Sequence, residues 1–116
     1  MRPMLARFVH LRLHSEFSVV DGLVRIDEAV RAAANDRQGA LALTDLANLF
    51  GAVRFYAAAR CTGVKPIVGC DLWVTNDTDR DSPSRLLVLV QDANGYRNLC
   101  ALLSRAWLHN RHRDRG

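Results

Sequence analysis

The fold class is decided by one stretch, "ALALTDLANLFGAVRFYAAARCTGVKPIVGCDLWV" (Ala40–Val74), in this chain of 116 residues. The stretch opens with a short, nearly all-apolar run, Ala40–Thr44, which is typical of a strand buried in a parallel sheet. Helical spacing of apolar residues then predicts a helix from about Leu49 or Phe50 to Thr62, which Gly63 ends. Lys65–Thr75 predicts a second strand, because its proline stands at the entry, where a lost donor is harmless. Strand, helix and strand in this order predict a β-α-β unit with parallel strands.

The flanking segments extend the alternation of strands and helices. Before the unit, Phe8–His14 alternates apolar and polar residues and predicts a strand. A helix is expected from Asp27, as its N-cap, to about Arg37, with Gly39 closing it. After the unit, Arg85–Asp92 predicts a strand and Tyr96–His109 predicts a helix with a clear apolar stripe. The order β-α-β-α-β-β-α predicts an α/β fold with mostly parallel strands.

Composition and charge exclude few classes of function. The chain is 49% hydrophobic and 24% charged, as is ordinary for a globular protein. Its net charge of +4 permits contact with nucleic acid without requiring it. There is no apolar run long enough for a transmembrane helix and no secretory signal pattern, so we expect a cytoplasmic protein with no membrane contact. Three cysteines without CxxC spacing, which we expect to be reduced and buried, agree with that compartment; they are Cys61, Cys70 and Cys100.

The number of helices predicts that residues 1–116 are part of a larger domain. A parallel sheet has both faces covered by helices or closes into a barrel. Three predicted helices leave at least one edge of the predicted sheet bare. We therefore expect a small open sheet or a piece of a barrel, and favour the piece.

The first predicted strand has the pattern of a metal site with one ligand wrong. Residues two apart on a strand point to the same side, so His10, Arg12 and His14 should project together, away from the apolar residues between them. Two imidazoles with a nearby carboxylate, Asp21, would begin a divalent-metal site. A guanidinium is always cationic and cannot coordinate a metal, so Arg12 argues against one.

Further polar residues follow the other predicted strands, where α/β folds collect functional groups. His14, Ser15 and Asp21 follow the first strand, Thr44, Asp45 and Asn48 follow the second, Asp71 lies in the third and Arg85 opens the fourth. The three acids and His14 could meet at one site, at the carboxyl ends of the strands (the mouth of the fold). Each also has a purely structural interpretation: Asp21 as a turn former, Asp45 as a helix cap, Asp71 as a paired strand acid and His14 as a half-buried imidazole.

Three ordered blocks of the sequence resemble a known family. The blocks are "FVHLRLHSEFSVVDG", the opening stretch and "LLVLVQDANGYRNLCALLSRAWL", which together cover Phe8 to Leu108. They resemble the N-terminal PHP (polymerase and histidinol phosphatase) domain of bacterial DNA polymerase III alpha subunits. The resemblance implies a distorted seven-stranded β/α barrel, of which this chain would be the N-terminal portion. It also implies, in members that keep it, a centre of divalent ions that hydrolyses phosphoesters.

Three ligand positions of the family carry other residues in this chain. The family's first block has histidine at the place of Arg12. Its second block is T-D-H, and here Thr44 and Asp45 are followed by Leu46. A further histidine opens the strand in which Arg85 stands here. Two imidazoles are thus replaced by permanent cations and one by a leucine.

The resemblance leaves three residues that could still ligate a metal. His14 and Asp21 match the first block, and Asp71 stands where the family usually has glutamate. We expect no bound metal, and hypothesise that Arg12 and Arg85 supply the positive charge that metal ions supply elsewhere in the family.

The resemblance implies a role in DNA replication. The parent subunit would be a DNA-directed DNA polymerase, a nucleotidyltransferase whose Mg²⁺ lies in a distant domain absent from these 116 residues. This portion would support the polymerase fold and dock the proofreading exonuclease subunit, with other replicase subunits and DNA as partners of the parent. The alternative is a metal-dependent PHP phosphoesterase or 3′–5′ exonuclease. A free-standing nucleic-acid-binding domain is a third hypothesis, but no stacking platform or helix-turn-helix pattern supports it.

Overall fold

The computed structural model describes residues 8–18, 21–112 and 115. The helices and strands, in chain order, are α1 (Ile26–Asn35), β1 (Ala40–Leu43), α2 (Ala52–Thr62), β2 (Lys65–Val74), β3 (Ser84–Leu89) and α3 (Ala93–His109). The predicted α/β class is confirmed. None of the described helices is both long enough and apolar enough to cross a membrane.

The sheet has the strand order β1-β2-β3. β1 and β2 pair in parallel, from Ala40 opposite Lys65 to Leu43 opposite Val68, as the β-α-β unit predicts. β2 and β3 pair antiparallel, so the expectation of mostly parallel strands is wrong for this pairing. The reason is the short connection between these strands: a parallel return needs about a dozen residues or more, and residues 75–83 can only turn the chain back.

The segment Phe8–His14 lies beside β1 but is not a regular strand, so that prediction is wrong. Ala42 N–H donates to His10 O at 3.0 Å and Thr44 N–H donates to Leu13 O at 2.8 Å. The donors are two residues apart and the acceptors three, so one extra residue interrupts the ladder, as in a bulge. Leu13 N–H bonds the Thr44 side-chain oxygen at 2.9 Å instead of a backbone carbonyl.

The ends of α1 differ from the sequence prediction. Arg25 is the N-cap and makes no side-chain capping bond, while Asp27 lies inside the first turn. Its carboxylate there still favours the helix, because the N-terminal end of a helix carries partial positive charge. Gly39 does not close the helix either, since Arg37 takes the left-handed conformation, with φ of 57°.

The end of α2 follows its sequence signal, whereas the starts of α2 and α3 differ from the prediction. Gly63 ends α2 with φ of 80°, as predicted. α2 begins later than predicted, at Ala52, because a turn that precedes it occupies residues 49–51. α3 begins earlier than predicted, at Ala93, because the Asp92 carboxylate accepts a hydrogen bond from Gly95 N–H at 2.8 Å and caps it.

The helices pack on one face of the sheet. One buried cluster joins α1 and α2 to β1; it contains Ile26, Val30, Ala33, Leu41, Leu43, Phe55, Ala59 and Val64. A smaller cluster joins Leu99 and Leu103 of α3 to Cys70 of β2. Side chains alternate along a strand, so Asp71 and Trp73 of β2 lie on the opposite face. This second face carries the candidate site.

The cysteines only partly match the expectation that they are buried. Cys70 is buried, Cys100 is intermediate and Cys61 is exposed. Burial raises the pKa of the Cys70 thiol to about 11, against weaker opposing hydrogen bonds from the backbone. Cys70 is therefore protonated near neutral pH and acts as a core residue.

Candidate functional site

Asp71 is the central residue of the candidate site. Its side chain is fully buried. The segment after β1 fixes its backbone, because Asp71 N–H donates to Asp45 O at 3.1 Å and Ala47 N–H donates to Asp71 O at 2.8 Å. A buried carboxylate needs charged or hydrogen-bonding partners, and Asp71 receives them from the segment that precedes α1.

Arg12 holds both oxygens of the Asp71 carboxylate. Its Nε lies 2.9 Å from Oδ2 and 3.1 Å from Oδ1, and its Nη2 lies 2.5 Å from Oδ1. The hydrogen bond and the charge of Asp71 raise the pKa of Arg12. Burial acts to raise the pKa of Asp71, but hydrogen bonds from Arg12 and His14 and their charges outweigh it, so that pKa is lowered.

His14 links Asp71 to Asp21. Its Nε2 lies 2.5 Å from Asp71 Oδ2, and its Nδ1 lies 2.9 Å from Asp21 Oδ1. The imidazole side chain is 13% exposed. Each ring nitrogen of His14 therefore lies at hydrogen-bonding distance from a carboxylate oxygen of a different acid.

Asp21 has two partners besides His14. Ser18 Oγ donates to Asp21 Oδ1 at 2.6 Å, and Arg85 Nη1 lies 3.5 Å from Oδ2. Burial acts to raise the pKa of Asp21, but the hydrogen bond from Ser18 and the charges and contacts of His14 and Arg85 lower it overall. Arg85 also lies over the Trp73 ring, with its guanidinium carbon 4.7 Å from the centroid, in a cation–π contact.

These five side chains form one alternating line of charges, which we call the ion-pair array. Its members, in spatial order, are Arg12, Asp71, His14, Asp21 and Arg85. The sequence predicted that Asp21, Asp71 and His14 lie together, and we hypothesised that Arg12 and Arg85 supply positive charge to these acids. The structure shows which acid each cation contacts.

Asp45, the third predicted acid, does not join the array. It is buried, and it accepts hydrogen bonds from Ser15 N–H at 2.5 Å and Ser15 Oγ–H at 2.8 Å. Burial raises the pKa of Asp45, against the opposing hydrogen bonds from Ser15. Asp45 thus lies near His14 and Asp21, whose charges act on its pKa, but its carboxylate bonds Ser15 and pairs with no member of the array. The helix-cap interpretation is wrong, because the N-cap of α2 is Gly51.

Leu46 and Asn48 hold the segment after β1 in place. Leu46 pairs with Asp71 in an isolated parallel bridge, and its N–H donates to Ser18 Oγ at 3.1 Å. Asn48 Nδ2 donates to Phe17 O at 2.9 Å. Both residues thus tie β1 to the loop that carries Asp21.

His10 lies apart from the array. The His10 ring packs edge-on against the Phe8 ring, with the two centroids 4.5 Å apart. The backbone N–H of His10 donates to Gln38 Oε1 at 3.4 Å. The predicted common side for His10, Arg12 and His14 is therefore wrong for His10. The extra residue in the ladder beside β1 breaks the strict alternation on which that prediction depended.

Ser18, Gly22 and Trp73 also belong to the site, although the sequence did not predict this. Ser18 stands three residues before Asp21, a spacing at which a hydroxyl can bond a loop carboxylate. Trp73 stands two residues after Asp71, so strand alternation already places both on one face. Gly22 carries a close contact that no spacing reveals: a Cβ there would lie 1.9 Å from Ser15 O.

The side chains present do not fit a divalent metal in this arrangement. Both ring nitrogens of His14 face carboxylates, and both oxygens of Asp71 face Arg12. Neither residue has a free lone pair directed at a common point. Over residues 8–18, 21–112 and 115, no group of three or more His, Cys, Asp and Glu is placed to hold a metal ion.

The sequence profile of the PHP domain matches residues 10–115. The chain belongs to the PHP domain family. Three similar proteins are named DNA polymerase III subunit alpha. They come from Pseudomonas fluorescens (51% identical over 106 residues), Pseudomonas aeruginosa (47% over 104) and Escherichia coli K12 (46% over 101). The matches cover 87–90% of this chain but only 9% of each relative.

Two solved structures have folds similar to that of this chain, in agreement with part of a PHP barrel. An amidohydrolase from Chromobacterium violaceum, described with bound sulfate and no metal, superposes with a TM-score of 0.65 at 26% identity. A putative metal-dependent phosphoesterase from Bifidobacterium adolescentis gives 0.60 at 16% identity, which shows the fold alone. They cover 83% and 84% of this PHP chain, which spans 32% of each. The predicted fold, part of a PHP barrel, is confirmed.

Proposed function

We propose that this chain is the N-terminal PHP portion of a cytoplasmic, replicative DNA polymerase III alpha subunit. In this portion, the ion-pair array stands where other PHP domains hold metal ions. The portion acts as a structural and partner-docking module and not as a phosphoesterase. The naming of the relatives as DNA polymerase III subunit alpha supports the parent protein.

The observation that carries this proposal is the contact of Arg12 with both oxygens of Asp71. A guanidinium matches a carboxylate geometrically and neutralises it, as a metal ion would. It does not lower the pKa of water as a bound divalent ion does, so it generates no nucleophile for phosphoester hydrolysis. The contact therefore favours a role in stability over one in catalysis.

The array supports a structural role because it joins three parts of the chain. Arg12 and His14 come from the segment beside β1, Asp21 from the loop that precedes α1, and Asp71 and Arg85 from the β2–β3 hairpin. These contacts would hold the rim of the barrel together without metal. The parent subunit would carry its polymerase Mg²⁺ and its DNA contacts in other domains, and its proofreading exonuclease and other replicase subunits would dock around this module.

Metal loading tests the proposal directly. The chain is incubated with Zn²⁺, Mn²⁺ or Mg²⁺, desalted and subjected to elemental analysis, and hydrolysis of a phosphodiester and of single-stranded DNA is assayed in parallel. We expect substoichiometric metal and no hydrolysis above buffer, in both the chain and its His14→Ala variant.

Stoichiometric metal that His14→Ala loses would contradict the proposal. Hydrolysis that disappears in the same variant would establish the alternative, a metal-dependent phosphoesterase or 3′–5′ exonuclease. An Arg31→Ala variant serves as the matched control, because Arg31 is exposed on α1, which contributes no residue to the array.

A further inference from the structure

Two apolar cavities lie on the helical face of the sheet, between α3 on one side and α2 with the segment before it on the other, and we call them together the groove. One part, of about 520 Å³, has Pro66 and Val68 of β2 as its floor and Tyr56 and Tyr96 at its sides. A second part, of about 810 Å³, runs between residues 46–50 and the C-terminal half of α3. No side chain of the ion-pair array lines either part.

The groove exists because one helix is missing from the helical layer. β1 is followed by α2, and β3 is followed by α3, but β2 turns directly into β3. In β/α folds, each strand is ordinarily covered by the helix that follows it. The outer face of β2 at Pro66 and Val68 is therefore left without a helix of its own.

The rim of the groove exposes large apolar side chains. Phe50 is 73% exposed, Val53 is 79% exposed and Leu108 is 76% exposed. Contiguous exposed apolar surface of this kind marks interaction sites in folded proteins. Since α2 and α3 form opposite walls, a partner that fills the groove would contact both helices at once.

The charges around the groove are mostly positive. Residues 46–70 and 93–112, which supply the walls and most of the floor, contain no Asp or Glu; their basic residues are Arg54, Arg60, Lys65, Arg97, Arg105 and Arg111. Asp92 alone is acidic among the residues that line the two parts, and its carboxylate caps α3. Arg60 lies along the wall, over the Tyr56 ring at 5.6 Å, and donates from Nη1 to Tyr56 OH at 3.1 Å.

We infer that this groove binds an acidic amphipathic helix of a partner protein. A helix with its side chains is about 10–12 Å wide, and the place left bare beside β2 is one that a helix ordinarily fills in β/α folds. Its apolar stripe would lie on Pro66 and Val68, and its acidic flanks would face Arg60 and Arg97. The inference rests on the docking role proposed above, but it involves neither metal nor the ion-pair array.

The test uses two synthetic helical peptides of about 18 residues, long enough to follow α3. Both carry the same leucine stripe, and one has glutamate flanks where the other has lysine flanks. Binding to the chain is measured by fluorescence anisotropy of labelled peptide. We expect the acidic peptide to bind at least about tenfold more tightly than the basic one, and less tightly at high salt.

Two variants locate the binding surface. Val53→Asp places a charge on the wall of the groove, and Arg60→Glu/Arg97→Glu reverses one basic residue on each of the two helices that flank it. We expect the first to abolish binding and the second to exchange the preference between the two peptides. Leu23→Asp and Arg31→Glu are the controls, because both residues are exposed outside the groove, and these should bind like the unaltered chain.

Several outcomes would overturn the inference. These are equal affinity for both peptides, no binding of either, or binding that survives Val53→Asp. Sedimentation of the chain as a dimer that Val53→Asp dissociates would assign the groove to a second copy. Displacement of the acidic peptide by single-stranded oligothymidylate would assign it to nucleic acid. Circular dichroism verifies that Val53→Asp folds, and the charge-reversed variant tests the groove independently. Failure here leaves the metal measurements of the proposed function unaffected.

Discussion

The contact between Arg12 and Asp71 joins a half-exposed cation to a fully buried anion. The two partners are therefore unequal. Water can hydrate Arg12 when the pair breaks, whereas Asp71 would stay inside the protein with only His14 beside it. Most of the destabilisation on losing the pair comes from this stranded carboxylate, and not from the attraction itself.

Arg12→Ala should therefore lower the free energy of unfolding of the chain. The midpoint of urea unfolding, followed by circular dichroism, should shift to lower urea relative to the unaltered chain. Arg31→Ala, which removes an exposed arginine of α1, should leave the midpoint in place. An equal shift for both variants would show that Arg12 is an ordinary surface arginine.

At the scale of elements, the loop between residues 15 and 24 depends on one close backbone contact. A Cβ on Gly22 would lie 1.9 Å from Ser15 O and 2.8 Å from Ser15 C, both of them backbone atoms. Neither atom can move without displacing the bonds from Ser15 to Asp45. The loop that presents Asp21 to the array therefore requires glycine at this position.

Gly22→Ala should destabilise the chain by about 1–3 kcal/mol, the usual cost of forcing extra atoms into a packed site. Gly39→Ala is the matched control, because a Cβ at Gly39 meets nothing within 4 Å. Urea unfolding of both variants measures the difference. If the two variants unfold at the same midpoint, the close contact at Gly22 is not present in solution.

The elements also show what the sequence could and could not predict. The strands β2 and β3 and the end of α2 at Gly63 follow from local patterns, so their prediction is confirmed. The antiparallel pairing of these two strands was not predicted. Phe8–His14 was wrongly predicted to be a regular strand. The residue that interrupts its pairing with β1 is held by a bond from Leu13 N–H to the Thr44 side chain, which is a contact between residues distant in sequence. Comparison of this sequence with the metal-ligand positions of the family identified the five residues of the ion-pair array. It left open which acid Arg12 would contact, because that depends on the placement of Leu46 beside Asp71.

For the whole molecule, acid should weaken the fold through Asp21 and Asp71. Both have a pKa lowered below the ordinary 3.8 in the folded state. Their stabilising contribution is present above that ordinary pKa and is lost as pH falls through the lowered values. Asp45 acts in the opposite direction, because its pKa is raised by burial, so its protonation favours the folded state.

Melting temperatures from about pH 7 to pH 3 test this dependence. In Arg12→Met, Asp71 loses its strongest hydrogen-bonding partner, so its pKa rises and the acid-induced loss of stability should begin at higher pH. Gly39→Ala should follow the profile of the unaltered chain. Identical profiles for Arg12→Met and the unaltered chain would contradict the role given to this pair.

The whole chain should also be only marginally stable by itself. It exposes several large apolar side chains, including Leu23, Phe50, Val53 and Leu108. Such side chains contribute little to folding until another surface covers them. Thermal unfolding should begin at low temperature, and a melting temperature as high as that of a stable, complete domain would contradict this expectation.

The alternating order of charges in the array also bears on how this site can evolve. Under the proposed replacement, returning histidine to position 12 would remove the guanidinium from Asp71 while Leu46 and Arg85 still occupied two other ligand positions. The first step back towards a metal centre would thus cost stability and yield no metal binding. Each further step would begin from a weakened protein. Once a lineage has exchanged metal for arginine here, selection for stability alone keeps it from returning.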